Sequence, residues 1–491
     1  MLKALSASRW DFRTAAHLLN RAGFGGTPAE IEELARLGHE RAVERLVDFE
    51  KIHDSTPDPD WAHPEPDLAQ KYLQARRAGE EARRQFARER QRLERERMIE
   101  LRGWWLKRMA EGPRPFQEKM TLFWHGHFAT SVEKVRQPYL MWRQNELFRR
   151  MATGNWLSML IEVAQDPAML VWLDQAQSRK QHANENFARE VMELFTLGEG
   201  HYTEKDVTEA ARALTGWSYD RAAEKFKDRP SYHDDGLKTI FGQTGNFDAE
   251  DFLEMIVRKP QSAKFITAKI WKFFAGSLPS ESLNTALADA FRESGNNFKP
   301  LMKKMFSCEE FYAPDIIRNQ VKSPVQWLVG SVRMLERPLP PAIVCYTVTR
   351  SLGQDLFAPP NVKGWDGGLN WITTSNLLAR YNDAAALVNG DVSSAAAAMF
   401  VKNASRTARI QRLVSRLPAG QVDPGKIFTE KQRSSKEHLV AALEQRLLQD
   451  KLKPKQEAAL RDYLAEKDAL DDAVVRQAIR LVMSTPEYQL T

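Results

Sequence analysis

Almost every stretch of this chain repeats apolar residues at steps of three and four, set among Ala, Leu, Glu, Arg, Lys and Gln. That spacing places the apolar positions on one face of an α-helix, and those residue types are good helix formers. Alternating β-branched runs are nearly absent; AIVCYTVTR at 342–350 is the best strand candidate and is short. The expected fold is all-α: a large multi-helix orthogonal bundle with loop-rich lids and helical appendages. With 43% of 491 residues hydrophobic, the chain has the material for a sizeable core, which excludes wholesale disorder.

Local signals place the pieces. A helix through Ala15–Ala22 is followed by a Gly-rich break at Gly23–Gly26 and a second helix from Thr27 to Leu37, with Thr27 and Glu30 spaced as a capping box. These helices, residues 1–53, are expected to sit on the core. Residues 54–67 form a Pro/Asp linker, and 75–102 carry ten Arg and six Glu with no Lys or Pro. Apolar residues are too sparse there for sustained heptads, so 54–103 reads as a linker and a solvated, ion-pair-laced helix. Its sharper alternative is a basic arm touching an anionic partner. Residues 104–400, dense in Trp, Phe, Gly and Asn, are the expected main core, and 401–491 a helical, surface-rich appendage.

Charge and cysteine content exclude several classes. Seventy-one Lys+Arg against 65 Asp+Glu leave +6, which is small for this length, so nucleic acid is not an expected partner without a concentrated patch. Cys308 and Cys345 are the only cysteines, too few for a disulfide framework or a multi-thiolate metal site, and both read as unpaired core residues. No window approaches the ~18 uninterrupted apolar residues of a membrane span. Arg9, Asp11 and Arg13 fall where a signal peptide needs its apolar stretch, so the chain reads as soluble and cytoplasmic. A chain trimmed of an export leader would read the same.

Two stretches carry candidate chemistry. In FWHGHF (123–128), His125 and His127 lie ~200° apart on an ideal helix and cannot share a site unless Gly126 breaks it. In NENFAREVMELFTLGEGHYTEKDVTEAARALTGWS (184–218), Asn186, Arg189, Glu190 and Glu193 form a polar stripe on a helix otherwise apolar around most of its circumference. A buried stripe of that kind must be paired or ligated. After Gly198 and Gly200, Thr203 opens a second helix with Asp206 at the capping-box position, and Asp206, Glu209 and Arg212 share one face. An antiparallel pair of such helices can bring the two stripes together. Carboxylates from facing helices plus two histidines suit a divalent metal, with His125, His127, Glu190 and Glu193 as ligands. The competing account is a buried Glu–Arg network. YHDDGLKTIFGQTGNF (232–247) reads as a loop with polar ends, contributing His233 and Asp234. APPNVKGWDGGLNW (358–371) reads as a rigid lid anchored by Trp365 and Trp371. No GxSxG, HExxH, CxxC, GxGxxG or P-loop fingerprint occurs.

Long blocks of this sequence resemble a bacterial family known only as domain of unknown function 1800. They include HLLNRAGFGG, WWLKRMAEGPRPFQEKMTLFWHGHFATSVEKV, QDPAMLVWLD, the 184–217 block, HDDGLKTIFGQTG, VKSPVQW, LGQDLFAPPNVKGWDGGLNW and STPEYQL, in order from about residue 17 to residue 490. The resemblance implies an exported protein encoded beside a sulfatase-like partner, but no reaction. Two functions are therefore expected to compete. One is a metal-dependent enzyme, hydrolytic or oxidative, with Glu209 or His233 as acid/base and Arg189 or Arg212 holding an anion. The other is a non-catalytic scaffold that binds a sulfatase-like partner or a surface polymer.

Overall fold

The computed structural model describes residues 2–220, 223–390 and 420–491. Over them the chain is predominantly α-helical. Its strands form two small antiparallel hairpins, Trp217–Asp220 with Lys225–Asp228 and Lys238–Ile240 with Gln243–Gly245. Among the described residues no helix is long and apolar enough to cross a membrane. The helix starts foreseen from capping boxes form as such: Thr27 with Glu30 opens Pro28–Leu37, and Thr203 with Asp206 opens Glu204–Ala213.

Buried side chains gather in two apolar cores. The first takes the N-terminal helices and most of residues 116–316, with Phe116, Trp124, Trp156, Trp271 and Phe298 at its centre. The second is built from residues 98–141, 325–357 and the C-terminal 422–488. Helix Pro115–His127 runs between them and gives side chains to both.

Three expectations change. The Arg/Glu-rich stretch is two helices, Leu68–Arg77 and Glu80–Glu111, and the second does not stop at the surface. From Met98 onward its apolar residues fall into helical register, and Met98, Leu101, Trp105, Leu106 and Met109 enter the second core. The strand candidate at 342–350 lies in a helix, Ala342–Ser351. It crosses the long helix where a Cβ at Gly103 would overlap the Ala342 methyl, and this burial overrides β-branched preference. Its Thr347 and Thr349 hydroxyls donate back to the carbonyls of Ile343 and Cys345, which keeps them satisfied inside a helix. Finally, the C-terminal part is no surface appendage. Residues 401–419 lie outside the described residues, but Leu439, Leu443, Val475, Ile479, Met483 and Tyr488 are all buried in the second core. Aliphatic side chains at helical spacing make up most of this contribution, with Phe428 and Tyr488 as its buried aromatics.

Candidate functional site

Helix Pro115–His127 is unbroken through Gly126, so the two histidines stay on opposite sides. His125 faces the second core among Trp105, Phe357 and Trp365. Its Nε2 accepts from the Phe357 amide at 3.0 Å, in a residue whose φ of 64° leaves that amide pointing inward. Burial, then Arg102, pushes its pKa down to about 3, so the ring is neutral. His127 faces the first core between Phe123, Trp124, Phe128 and Phe195. It too is held neutral, by burial and then by Lys269. Gly126 lies against the 358–371 loop: Gly364, at φ +81°, comes so close to the Gly126 carbonyl that a side chain there would overlap it. Of the lid's expected anchors, Trp371 is buried and Trp365 half-buried on His125.

The second stretch forms a helix, Glu185–Glu190, that widens into a π-helix over Val191–Thr196. A π-turn and the helix end release carbonyls that need donors. His127 Nε2 donates to Phe195 O at 3.0 Å, Lys269 Nζ to Leu194 O at 2.7 Å and Gln261 Nε2 to Leu197 O at 2.9 Å. His127 therefore closes a helix end, and Lys269 does the same with its pKa pushed down to about 8 by burial and Lys272.

The polar stripe faces outward rather than into a pocket. Asn186 is exposed, and Arg189, Glu190 and Glu193 are half-buried. Only one side of the helix, with Phe187, Ala188, Val191 and Met192, meets the core. Arg189 forks onto Glu204 at 2.7 Å from both terminal nitrogens. Glu193 accepts from the Tyr202 hydroxyl at 2.9 Å; burial and this carboxylate push the phenol up to about 12. Glu190 makes no side-chain hydrogen bond among the described residues, and burial followed by the neighbouring Glu193 raises its carboxyl.

Glu209, Arg212, His233 and Asp234 do come together, although not with the 186–193 stripe. Arg212 grips Asp234 with Nε at 2.8 Å and Nη2 at 3.1 Å, while its Nη1 reaches Glu209 at 3.0 Å and Leu237 O at 3.1 Å. That grip holds Asp234 down to about 2. Glu209 also accepts from the Thr239 amide and Asp206 from the Phe241 amide, at 2.8 and 2.6 Å. Carboxylates three apart on a helix thus take amides two apart in the hairpin, one in its first strand and one at its turn, which stitches the 238–245 hairpin to helix Glu204–Ala213. His233 Nδ1 donates to Thr215 O at 2.9 Å.

As a coordination set, His125, His127, Glu190 and Glu193 do not fit a metal ion. The histidines diverge into two cores with both Nε2 atoms engaged, and Glu193 is held by Tyr202. Among the described residues no group of three or more His, Cys, Asp or Glu stands where it can hold a metal.

Two features escaped the sequence reading. Glu118, 2% exposed, accepts from Trp105 Nε1, Arg108 Nε and both Arg149 Nε and Nη2 at 2.7–2.9 Å, and Arg108 continues to Asp54 in the linker. The signal was there: Glu118 stands in a helix that also carries Phe116, Met120, Leu122, Phe123 and Trp124, and a charge buried among them must be paired. The other is a cleft of about 760 Å³ where the N-terminal helices meet the start of helix Pro115–His127, lined by Leu34, Phe49, Ile52, Arg41 and Arg114 among others. It joins segments more than 60 residues apart, and no local pattern announces it.

Comparison with curated proteins and with solved structures gives no match. A family model described as protein of unknown function, DUF1800, matches residues 17–490. That span includes both histidines, the π-helix, the stitched hairpin and the lid, and the chain belongs to this family.

Proposed function

We propose that this protein is a non-catalytic binding scaffold. The observation that carries this reading is how the candidate catalytic groups are used: Arg212, Glu209 and Asp234 spend their polar atoms on one another and on fastening one hairpin, His233 Nδ1 is tied to Thr215 O, and His127 Nε2 closes a helix end. A general acid or base needs an atom free to reach a substrate proton, and the Glu209 and Asp234 carboxylates are taken up by Arg212 and by backbone amides. What the fold leaves available is surface. The partner that the family resemblance implies, a sulfatase-like protein, is tested by co-expression and co-elution in size-exclusion chromatography.

The deciding experiment is metal analysis and thermal unfolding of tag-free protein with and without chelator. A scaffold should show substoichiometric metal and one melting temperature in both. One metal per chain together with a chelator-induced loss of several degrees would overturn it. Arg212→Leu should be more destabilising than Glu193→Leu, which lies outside the network, because Arg212 anchors two carboxylates and a carbonyl.

The enzyme reading keeps one observation in its favour. Glu190 is half-buried beside Glu193, its carboxyl raised by burial and then by Glu193, with no hydrogen-bond partner among the described residues, and a Cβ on Gly126 would meet open space. Metal-dependent hydrolytic or oxidative turnover that Glu190→Gln abolishes at unchanged melting temperature would move the assignment to it.

A further inference from the structure

We propose that the helical arm of residues 62–97 is a docking arm for the phosphodiester backbone of a single-stranded nucleic acid. The arm lies outside the region on which the scaffold reading rests, so the two can fail separately.

The arm is a hairpin of helices, Leu68–Arg77 and the first half of Glu80–Glu111, turning at Gly79 with φ 106°. No residue from Ala62 to Arg97 is buried, whereas Trp61 and Met98 on either side are. Its internal ties are the Tyr72 ring edge on Phe86 and Glu65, which bridges Arg90 and Arg97 at the base. A segment held this way contributes little to the core and presents its surface to whatever it meets.

Half of the chain's small net charge lies here: residues 62–97 carry ten basic and seven acidic side chains, a net +3 against +6 for the whole protein. Residues 68–92, around the turn, hold eight of those basic side chains against three acidic. Seven of the eight are arginines. Lys71, Arg76, Arg77, Arg88 and Arg95 take part in no ion pair among the described residues. Arg84, Arg88, Arg92 and Arg95, all exposed, follow one another at steps of four, four and three. They form a stripe along one helix face, with ~6 Å of rise between successive members at a step of four. This is the concentrated patch that overall composition conceals.

The chemistry of the stripe selects the partner. Arginine's planar fork matches a phosphate's paired oxygens better than a lysine ammonium does. A line of such forks suits a linear polyanion. Membrane docking would require an apolar face, and the exposed apolar side chains of the arm are only Tyr72, Leu73 and Leu93, without a continuous face. Tyr72, 52% exposed, instead offers a ring on which a base can stack. Glu80 pairs with Arg84 and Glu96 lies 3.9 Å from Arg92, and with Glu81, Glu89 and Glu94 interleaved the attraction is moderate and salt-dependent.

The test is fluorescence anisotropy of a labelled oligothymidylate of about 20 nucleotides at about 50 mM salt, with salt titration. Full-length protein should bind with a Kd in the micromolar range. The variant Arg84→Gln/Arg88→Gln/Arg92→Gln/Arg95→Gln should bind at least tenfold more weakly, and its slope of log K against log salt should flatten by about 3, close to 0.7 for each of the lost contacts. If that variant melts early, Arg76→Gln/Arg77→Gln at the tip serves instead and should weaken binding severalfold. Absence of binding by the full-length protein, or unchanged binding by a folded variant, overturns the proposal. So does tighter binding to phosphatidylserine vesicles or to polyglutamate than to the oligonucleotide, which would make the partner a membrane or an acidic protein.

Discussion

Replacing Glu118 by glutamine should be among the most destabilising changes that conserve side-chain shape in this protein. The carboxylate lies 2% exposed and receives four N–H donors from Trp105, Arg108 and Arg149. Burial alone would raise its pKa; Arg149 and then Arg108 outweigh that and hold it below the ordinary carboxylate value. Glutamine keeps one acceptor oxygen but turns an amide N–H₂ toward guanidinium donors. Breaking a buried ion pair by removing one partner costs roughly 3–5 kcal/mol. Arg108 retains Asp54, and Arg149 retains Glu146 and Asn145, so the lower end applies, about 3 kcal/mol. With about 2.1 cal/mol/K of unfolding entropy per residue, a 491-residue chain loses about 1 °C per kcal/mol, so the melting temperature should fall by roughly 3 °C. Urea unfolding measures the free energy directly, with Glu162→Gln as control. Glu162 pairs with Arg150 at 2.8 Å on the open surface, and its loss should cost under about 1 kcal/mol. The pH dependence has a definite sign. A depressed folded-state pKa stabilises above the unfolded carboxyl value and is lost as pH falls through the folded one, so wild type and Glu118→Gln should converge in acid. A loss below about 1 kcal/mol at neutral pH, or a gap that persists in acid, would refute the reasoning.

Three further outcomes follow from the same coordinates. Asp166, fully buried, is pushed up to about 6 by burial, against hydrogen bonds from the Met169 amide and Gln144. A raised folded pKa costs stability as pH rises from about 4 to 6, so over that interval wild type should lose stability relative to Asp166→Asn, read as the difference between their urea midpoints. Gly364→Ala forces a side chain into the Gly126 carbonyl at φ +81° and should cost at least about 2 kcal/mol by thermal or urea unfolding. Cys308 and Cys345 are both buried and free, and burial pushes Cys308 up to about 12. A thiol reagent should therefore find almost none in the native protein, and two after denaturation without reductant.

Much of the local structure was readable without coordinates. The capping boxes at Thr27 and Thr203 open the helices expected of them, since a cap is a contact between residues three apart. The divergence of His125 and His127 follows from the helical period once Gly126 is seen to leave the helix intact. The polar stripe misled because it rested on a further assumption, that a helix rich in apolar residues is buried all round. Here the π-helix from Val191 changes the period within the stripe, and the helix lies with one side against the core. The strand candidate at 342–350 failed for the opposite reason: a local preference was overridden by a close crossing at Gly103.

The sequence by itself determined the helical class and where many helices begin, because each depends on backbone period or on neighbours a few residues away. Only the tertiary structure decided which core each histidine enters, that Arg212 faces Asp234 rather than Glu193, and that Glu118 gathers arginines 10 residues before it and 31 after. Those pairings join groups whose separation along the chain carries no information about distance in space. A buried charge must find a partner, but which partner is set by how the helices pack, and helix packing is a property of the whole chain at once.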